Sequence, residues 1–151
     1  MVKYLASFFA CIVLFSSNAL GQLKVGSDQH KVLSYLRNNA ATVDSTIHKG
    51  AVITYKARIL YDNGLPTNMA ACFKRDSLFS ILYRFEGLDS ASFEQHFTSM
   101  LDSSAAEVYR GKDFISAFVD SNEGQQRILY DRRNRHAALD VLPPGTLVKK
   151  R

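Results

Sequence analysis

The distribution of apolar positions between Val52 and Phe85 is the strongest structural pattern in the chain. Three apolar runs, rich in β-branched and aromatic residues, are separated by short breaks that carry turn residues. The outer two runs alternate apolar and polar residues, as strands with one buried face do. The first break contains Asp62-Asn63-Gly64, which favours a hairpin because Asn and Gly tolerate positive φ. The segment predicts an antiparallel meander of three strands.

The same alternation predicts which side chains of the meander share a face. One face of the first and third runs is expected to hold Ile53, Tyr55, Ala57, Ile59, Tyr61, Phe79, Ile81, Tyr83 and Phe85. Ser80 and Arg84 then point to the opposite side. In the middle run Cys72 lies among apolar residues, so we expect a buried and unreactive thiol rather than a nucleophile.

A helix is predicted before the meander. Ser27 can serve as its N-cap. Apolar residues then recur at spacings of three and four, at Leu33, Leu36, Ala40 and Val43. The pair Asn38-Asn39 offers an early end, but the pattern also permits the helix to continue towards Ile47.

A second helix follows the meander and has a clearer pattern. Asp89 or Ser90 can cap it. Its apolar stripe consists of Phe93, Phe97, Met100 and Leu101. After residue 104 the period returns to two, which predicts short strands over 106–109, 114–119, 127–131 and 136–142. The whole pattern predicts an α+β fold, with one antiparallel sheet of about six to seven strands and two helices packed on one face.

The order of a helix followed by strands occurs twice, which raises the question of an internal duplication. The pentapeptide Arg58–Asp62 recurs unchanged as Arg127–Asp131. Ile, Leu and Tyr are common strand residues, so coincidence explains a match of this length as well as duplication does.

Residues 1–21 are typical of a signal peptide. Lys3 precedes an apolar run from Leu5 to Phe15, and Ala19-Leu20-Gly21 provides small residues for cleavage before Gln22. The run is too short to span a bilayer, so no stable transmembrane segment is expected after cleavage. We therefore predict an exported protein, periplasmic or extracellular, with a single domain over 22–142 and a basic tail over 143–151. Cleavage leaves Cys72 as the one cysteine, so the domain must rely on its core rather than on a disulfide.

Charge is concentrated near the C-terminus of a chain whose formal net charge is +5. Arg132, Arg133 and Arg135 form a predicted turn, and the tail ends in Lys149-Lys150-Arg151. This region can contact an unknown protein or an anionic component of the envelope, or it can be a solvated turn and tail. Nucleic acid is not expected, since no aromatic residues alternate with the basic cluster.

The sequence lacks the common catalytic motifs. It has no G-x-S-x-G, no phosphate-binding glycine loop, no H-E-x-x-H and no C-x-x-C. No cofactor and no metal site are predicted, and no catalytic residue is identified. A pocket between the second helix and the sheet would be the default ligand site, and its expected lining residues are Tyr55, Tyr83 and His96.

The signal peptide, the tyrosine-rich meander and the helix after it resemble the small exported α+β proteins of Bacteroidota-type envelopes. These proteins share no common activity, so the resemblance implies a fold style and a compartment but no functional residue. The function expected is that of an exported, non-catalytic binding or accessory protein. The alternative is a small cone-shaped α+β enzyme or ligand carrier with a pocket between helix and sheet.

Overall fold

A computed structural model describes residues 23–39, 42–61 and 64–147 of the chain. The elements are α1 (Gln29–Asn38), β1 (Thr42–Lys49), β2 (Val52–Tyr61), β3 (Leu65–Lys74), β4 (Ser77–Glu86), α2 (Ser90–Leu101), β5 (Ala106–Arg110), β6 (Phe114–Ser121), β7 (Gly124–Asp131) and β8 (His136–Leu142). The strands form one antiparallel sheet and both helices pack on one of its faces. The α+β class is confirmed, but the sheet has eight strands rather than six to seven. The predicted signal peptide, Asp62-Asn63 and the last four residues lie outside the described residues.

Strand β1 is the element that the sequence pattern missed. It pairs only with β2, at the edge of the sheet, and all eight of its residues are exposed. A strand without a buried face has no reason to alternate apolar and polar residues. Thr42, Val43, Thr46 and Ile47 are β-branched and favour the extended chain. The extension of the first helix towards Ile47 is therefore wrong.

Each helix begins at an aspartate. The carboxylate of Asp28 accepts hydrogen bonds from the backbone N–H of His30, at 2.9 Å, and of Lys31. Asp28, not Ser27, is thus the N-cap of α1. Asp89 caps α2 in the same way through the N–H of Ser92. The predicted stripe of α2 is confirmed as its buried side: Phe93, Phe97, Met100 and Leu101.

The strand order β1-β2-β3-β4-β8-β7-β6-β5 divides the sheet into two similar halves. Each half is a helix followed by a four-stranded meander, and the last strands of the halves pair at the centre. The repeated order of elements is confirmed. However, Arg58–Tyr61 lies in the second strand of its half, whereas Arg127–Asp131 lies in the third strand of the other. Because these strands are not equivalent, the repeated pentapeptide does not support duplication.

Aromatic rings fill the space between α2 and the sheet. The rings of Phe93 and Tyr130 stack with a centroid separation of 4.3 Å, and both residues are fully buried. The Tyr130 hydroxyl donates a 2.8 Å hydrogen bond to the carbonyl of Leu88, which satisfies the buried phenol. Phe97 packs in turn against Phe85. The helix is thereby held against the sheet by ring packing.

A β-bulge changes the face of one predicted core residue. In the pairing of β3 with β4, Cys72 lies opposite Ser80 and Phe73 opposite Leu78, which leaves Phe79 as an extra residue. Leu78 is consequently buried, whereas Phe79 is 37% exposed. The assignment of Phe79 to the buried face is wrong, because strict alternation fails across a bulge. Cys72 is also only half-buried, on the side away from the helices, rather than in the core.

Candidate functional site: the open face of the sheet

The open face is the side of the sheet opposite the two helices. Antiparallel register places directly paired side chains on the same side. One such row crosses all eight strands and consists of Thr42, Arg58, Asn68, Arg84, Ala138, Leu129, Ser116 and Tyr109. The sequence neighbours of this row, such as Ala57, Met69 and Tyr83, are buried beneath the helices. The row therefore lies on the open face, polar at one end and apolar at the other.

The polar end is formed by three consecutive members of the row: Arg58 on β2, Asn68 on β3 and Arg84 on β4, here called the arginine row. All three are exposed. They line an open cleft of about 590 Å³ and a neighbouring one of about 350 Å³, together with Glu86. Clefts of this size are in the range of ligand-binding sites. Arg58 also meets the carboxylate of Asp44, with its Nε at 3.4 Å from Oδ2.

The apolar end is a group of apolar side chains, here called the aromatic patch. It consists of Tyr109, Phe114 and Leu129, which are exposed, and of Phe118, which is half-buried. Tyr109 is 58% exposed, Leu129 49% and Phe114 42%. The rings of Tyr109 and Phe114 stack with centroids 5.2 Å apart. Exposed apolar groups that cluster in this way mark interaction surfaces more often than single exposed ones do.

A salt bridge separates the two ends. Arg127 on β7 and Asp140 on β8 are direct partners in the register, and the Arg127 Nε donates to Asp140 Oδ2 at 3.0 Å. The pair is neutral overall, so it does not add to the charge of the arginine row. From Arg84 to Ser116 the row crosses three strand spacings, or about 14 Å. Both ends can therefore contact one partner.

The C-terminal segment covers one corner of the open face. Gln125 is buried there, and its side-chain oxygen accepts a 2.7 Å hydrogen bond from the backbone N–H of Leu147. Its amide nitrogen donates to the Leu147 carbonyl and to Asp120, each at 3.2 Å. The first residues of the predicted tail are thus attached to the sheet at this corner. No described residue of the tail covers the arginine row or the aromatic patch.

The predicted basic turn is the hairpin between β7 and β8, and it contains Arg132, Arg133 and Arg135. Arg133 pairs with Asp113 through two hydrogen bonds of 3.0 Å. All three arginines are exposed, and the predicted role in binding an anion or a partner stays a prediction. The turn adjoins the aromatic patch, because Phe114 lies opposite Asp131.

Asp131 organises this hairpin and provides a pH-dependent measurement. Hydrogen bonds from the backbone and side chain of Asn134, together with the N–H of Arg133, lower the pKa of the Asp131 carboxyl below its usual 3.8. A lowered folded-state pKa stabilises the protein above the ordinary pKa, and that contribution is lost as the pH falls through the folded value. We expect NMR titration to show the lowered pKa, and Asn134→Ala to raise it in part, because alanine removes the side-chain hydrogen bond but keeps the backbone N–H. An unchanged pKa in that variant would contradict the side-chain hydrogen bond from Asn134.

The structure does not bring Tyr55, Tyr83 and His96 together through any described contact. Tyr55 accepts a 2.9 Å hydrogen bond from Gln29 of α1. Tyr83 is buried at the centre of the sheet, where burial, followed by the nearby Tyr61 and Tyr35, raises its pKa above the usual 10.0. His96 is half-buried on α2, with its Nδ1 buried and without a hydrogen-bond partner. None of the three lines a described cleft, and their role in a pocket stays a prediction.

Within residues 23–39, 42–61 and 64–147, no group of three His, Cys, Asp or Glu side chains is arranged to hold a metal ion. Neither of the two helices in these ranges has the length and apolar character needed to cross a membrane.

Sequence reasoning identified Arg84 as pointing away from the core, but it missed the arginine row and the aromatic patch. Arg58 and Asn68 come from different runs of the meander and meet only through the register. In β5 and β6, Tyr109 and Phe114 look like ordinary core residues in a sequence. The available signal was the alternation itself, which assigns every second residue of each strand to the open face.

Comparison with protein-family models, with curated proteins and with solved structures finds no match to this chain. Its function must therefore be inferred from the geometry of the open face.

Proposed function

We propose that this chain is an exported, non-catalytic binding protein that docks a partner protein through the open face of its sheet. The observation that carries the proposal is the composition of this face, with the arginine row at one end and the aromatic patch at the other. Export is supported by the signal-peptide pattern of residues 1–21. Aromatic and arginine side chains are the residue types enriched at the energetic centres of protein interfaces.

The size of the open face supports the same proposal. Eight strands give seven strand spacings, so the face is roughly 34 Å wide and, at five to ten residues per strand, about 17–33 Å high. Each partner in a standard protein interface buries about 800 Å², which is close to this area. A single partner can therefore contact the arginine row and the aromatic patch at once.

Site-specific crosslinking in the cells that produce the protein tests the proposal. A photoreactive phenylalanine at position 129, in the aromatic patch of the open face, is expected to form an adduct with one protein. The same group at Gln95, an exposed position on α2, is the control and is expected to form none. An adduct at position 95 but not at position 129 would place the interface on the helix side and refute the proposal.

The protein identified in the adduct is then purified and its affinity measured. Replacing Tyr109 and Phe114 together with alanine is expected to weaken binding by at least about tenfold, since buried aromatic anchors contribute most of an interface's energy. Val108→Ala is the matched control, because Val108 is exposed on the same strand but faces the opposite side. Equal effects of the two substitutions would contradict docking through the open face.

A further inference from the structure

We infer that the arginine row is a receptor for a carboxylate side chain of the docked protein. The inference rests on the proposed function and adds the chemistry of the group that is recognised. Arg58 and Arg84 lie two strands apart, or about 10 Å between their backbones, with Asn68 directly between them. Arginine side chains are long enough to reach towards each other above Asn68. The site then offers two guanidinium groups and a side-chain amide to one planar acid.

The donors of this site are available to a ligand. Within the described residues the guanidinium of Arg84 forms no ion pair, and Arg58 has only the 3.4 Å contact with Asp44. That contact involves one nitrogen of a guanidinium whose side chain is 76% exposed, and such surface pairs are weak. A carboxylate that accepts two parallel hydrogen bonds from an arginine forms a stronger pair and can compete with Asp44.

The acidic residues that line the clefts favour a protein carboxylate over a polyanion as the ligand. Glu86 lines both clefts beside the arginine row, and Asp44 lines the smaller one together with Lys56. A polyphosphate or a nucleic acid presents negative charge everywhere, so it would be repelled by Glu86 and Asp44. A protein segment can place a carboxylate on the arginines and a lysine or backbone N–H beside Glu86. The mixed charge of the clefts therefore favours a peptide with acidic and basic residues side by side.

NMR titration of the ¹⁵N-labelled protein tests this inference with defined probes. The capped peptide Glu-Lys-Glu is expected to shift the Nε–Hε signals of Arg58 and Arg84 in a saturable manner. The capped peptide Gln-Lys-Gln, which has the same shape without the carboxylates, is expected to leave them unchanged. The signal of Arg37, an exposed arginine of α1 on the other side of the sheet, is the internal control. Equal shifts with both peptides would overturn the inference.

Substitutions provide a second test, through the affinity for Glu-Lys-Glu. Arg84→Gln is expected to weaken binding of Glu-Lys-Glu by about fivefold, whereas Arg37→Gln, on α1, leaves it unchanged. Asp44→Asn removes the internal competitor of Arg58 and is expected to tighten binding by about twofold to threefold. Glu123→Gln removes the same charge from the exposed turn between β6 and β7 and is expected to have no effect. If Asp44→Asn and Glu123→Gln raised the affinity for Glu-Lys-Glu equally, the net charge of the protein would explain the effect. That result would contradict a site at Arg58.

Two results would overturn the carboxylate inference without refuting the proposed function. Inorganic phosphate that binds the arginine row as tightly as Glu-Lys-Glu would make it a phosphate site and overturn the carboxylate assignment. If Glu-Lys-Glu does not bind, but the adduct at position 129 forms and the double substitution of Tyr109 and Phe114 weakens the partner, the carboxylate inference fails and the proposed function stands.

Discussion

Replacing Phe93 with alanine is expected to lower the free energy of unfolding by about 3–5 kcal/mol. Phe93 is fully buried, its ring stacks on Tyr130 at 4.3 Å, and it also contacts Phe97. The substitution removes these contacts and leaves a cavity between α2 and the sheet, which the surrounding rings can fill only in part. Urea unfolding followed by far-ultraviolet circular dichroism measures the change.

Phe114→Ala is the matched control for this experiment. Phe114 is also a phenylalanine with an aromatic neighbour, but it is 42% exposed on the open face. We expect its substitution to cost about 1 kcal/mol or less. If Phe114→Ala destabilised the protein as much as Phe93→Ala, the core would not lie between α2 and the sheet as described.

Leu78→Ala is expected to cost about 2–5 kcal/mol, whereas Phe79→Ala costs about 1 kcal/mol or less. The larger aromatic side chain thus has the smaller effect, because the bulge between β3 and β4 turns Leu78 into the core and Phe79 out of it. Simple alternation along β4 predicts the reverse order. The same unfolding experiment on both variants decides between the two registers.

A larger loss of stability in Phe79→Ala than in Leu78→Ala would mean that the strand alternates without a bulge. Ile81→Ala provides the reference for a core residue of β4 beyond the bulge, since Ile81 is buried in either register. Its expected cost is also about 2–5 kcal/mol. Equal losses of stability in Leu78→Ala and Ile81→Ala would show that Leu78 is a core residue, as the bulge requires.

Placing both helices on one side leaves the other face of the sheet open. The rings of Phe93, Phe97 and Tyr130 fill the helix side, which concentrates the stabilising contacts there. The open face contributes less to the core, so exposed groups such as Tyr109 and Arg84 can remain on it without loss of the fold. In the proposed docking, the rigid sheet would hold these groups in position before a partner arrives, which would lower the entropy lost on docking.

Local patterns in the sequence were sufficient for the elements with one buried side. The stripe of α2 and the alternation of β2 each reflect a single amphipathic element against a core, so a window of about ten residues contains the whole signal. Strand β1 was not predicted, because neither of its faces is buried and its sequence therefore has no alternating pattern. The helix cap at Asp28 was placed one residue too early, as neighbouring Ser27 has an equally suitable side chain.

The sequence by itself determined the α+β class, the stripe of α2 and the meander, because each depends on residues close together in the chain; the signal peptide stays a prediction. Tertiary structure alone decided the strand order, the bulge at Phe79 and the two ends of the open face. Arg58, Asn68 and Arg84 belong to three strands and become neighbours only when the register aligns them. Register depends on turn geometry and on packing of the buried face across the whole sheet, which no local pattern contains.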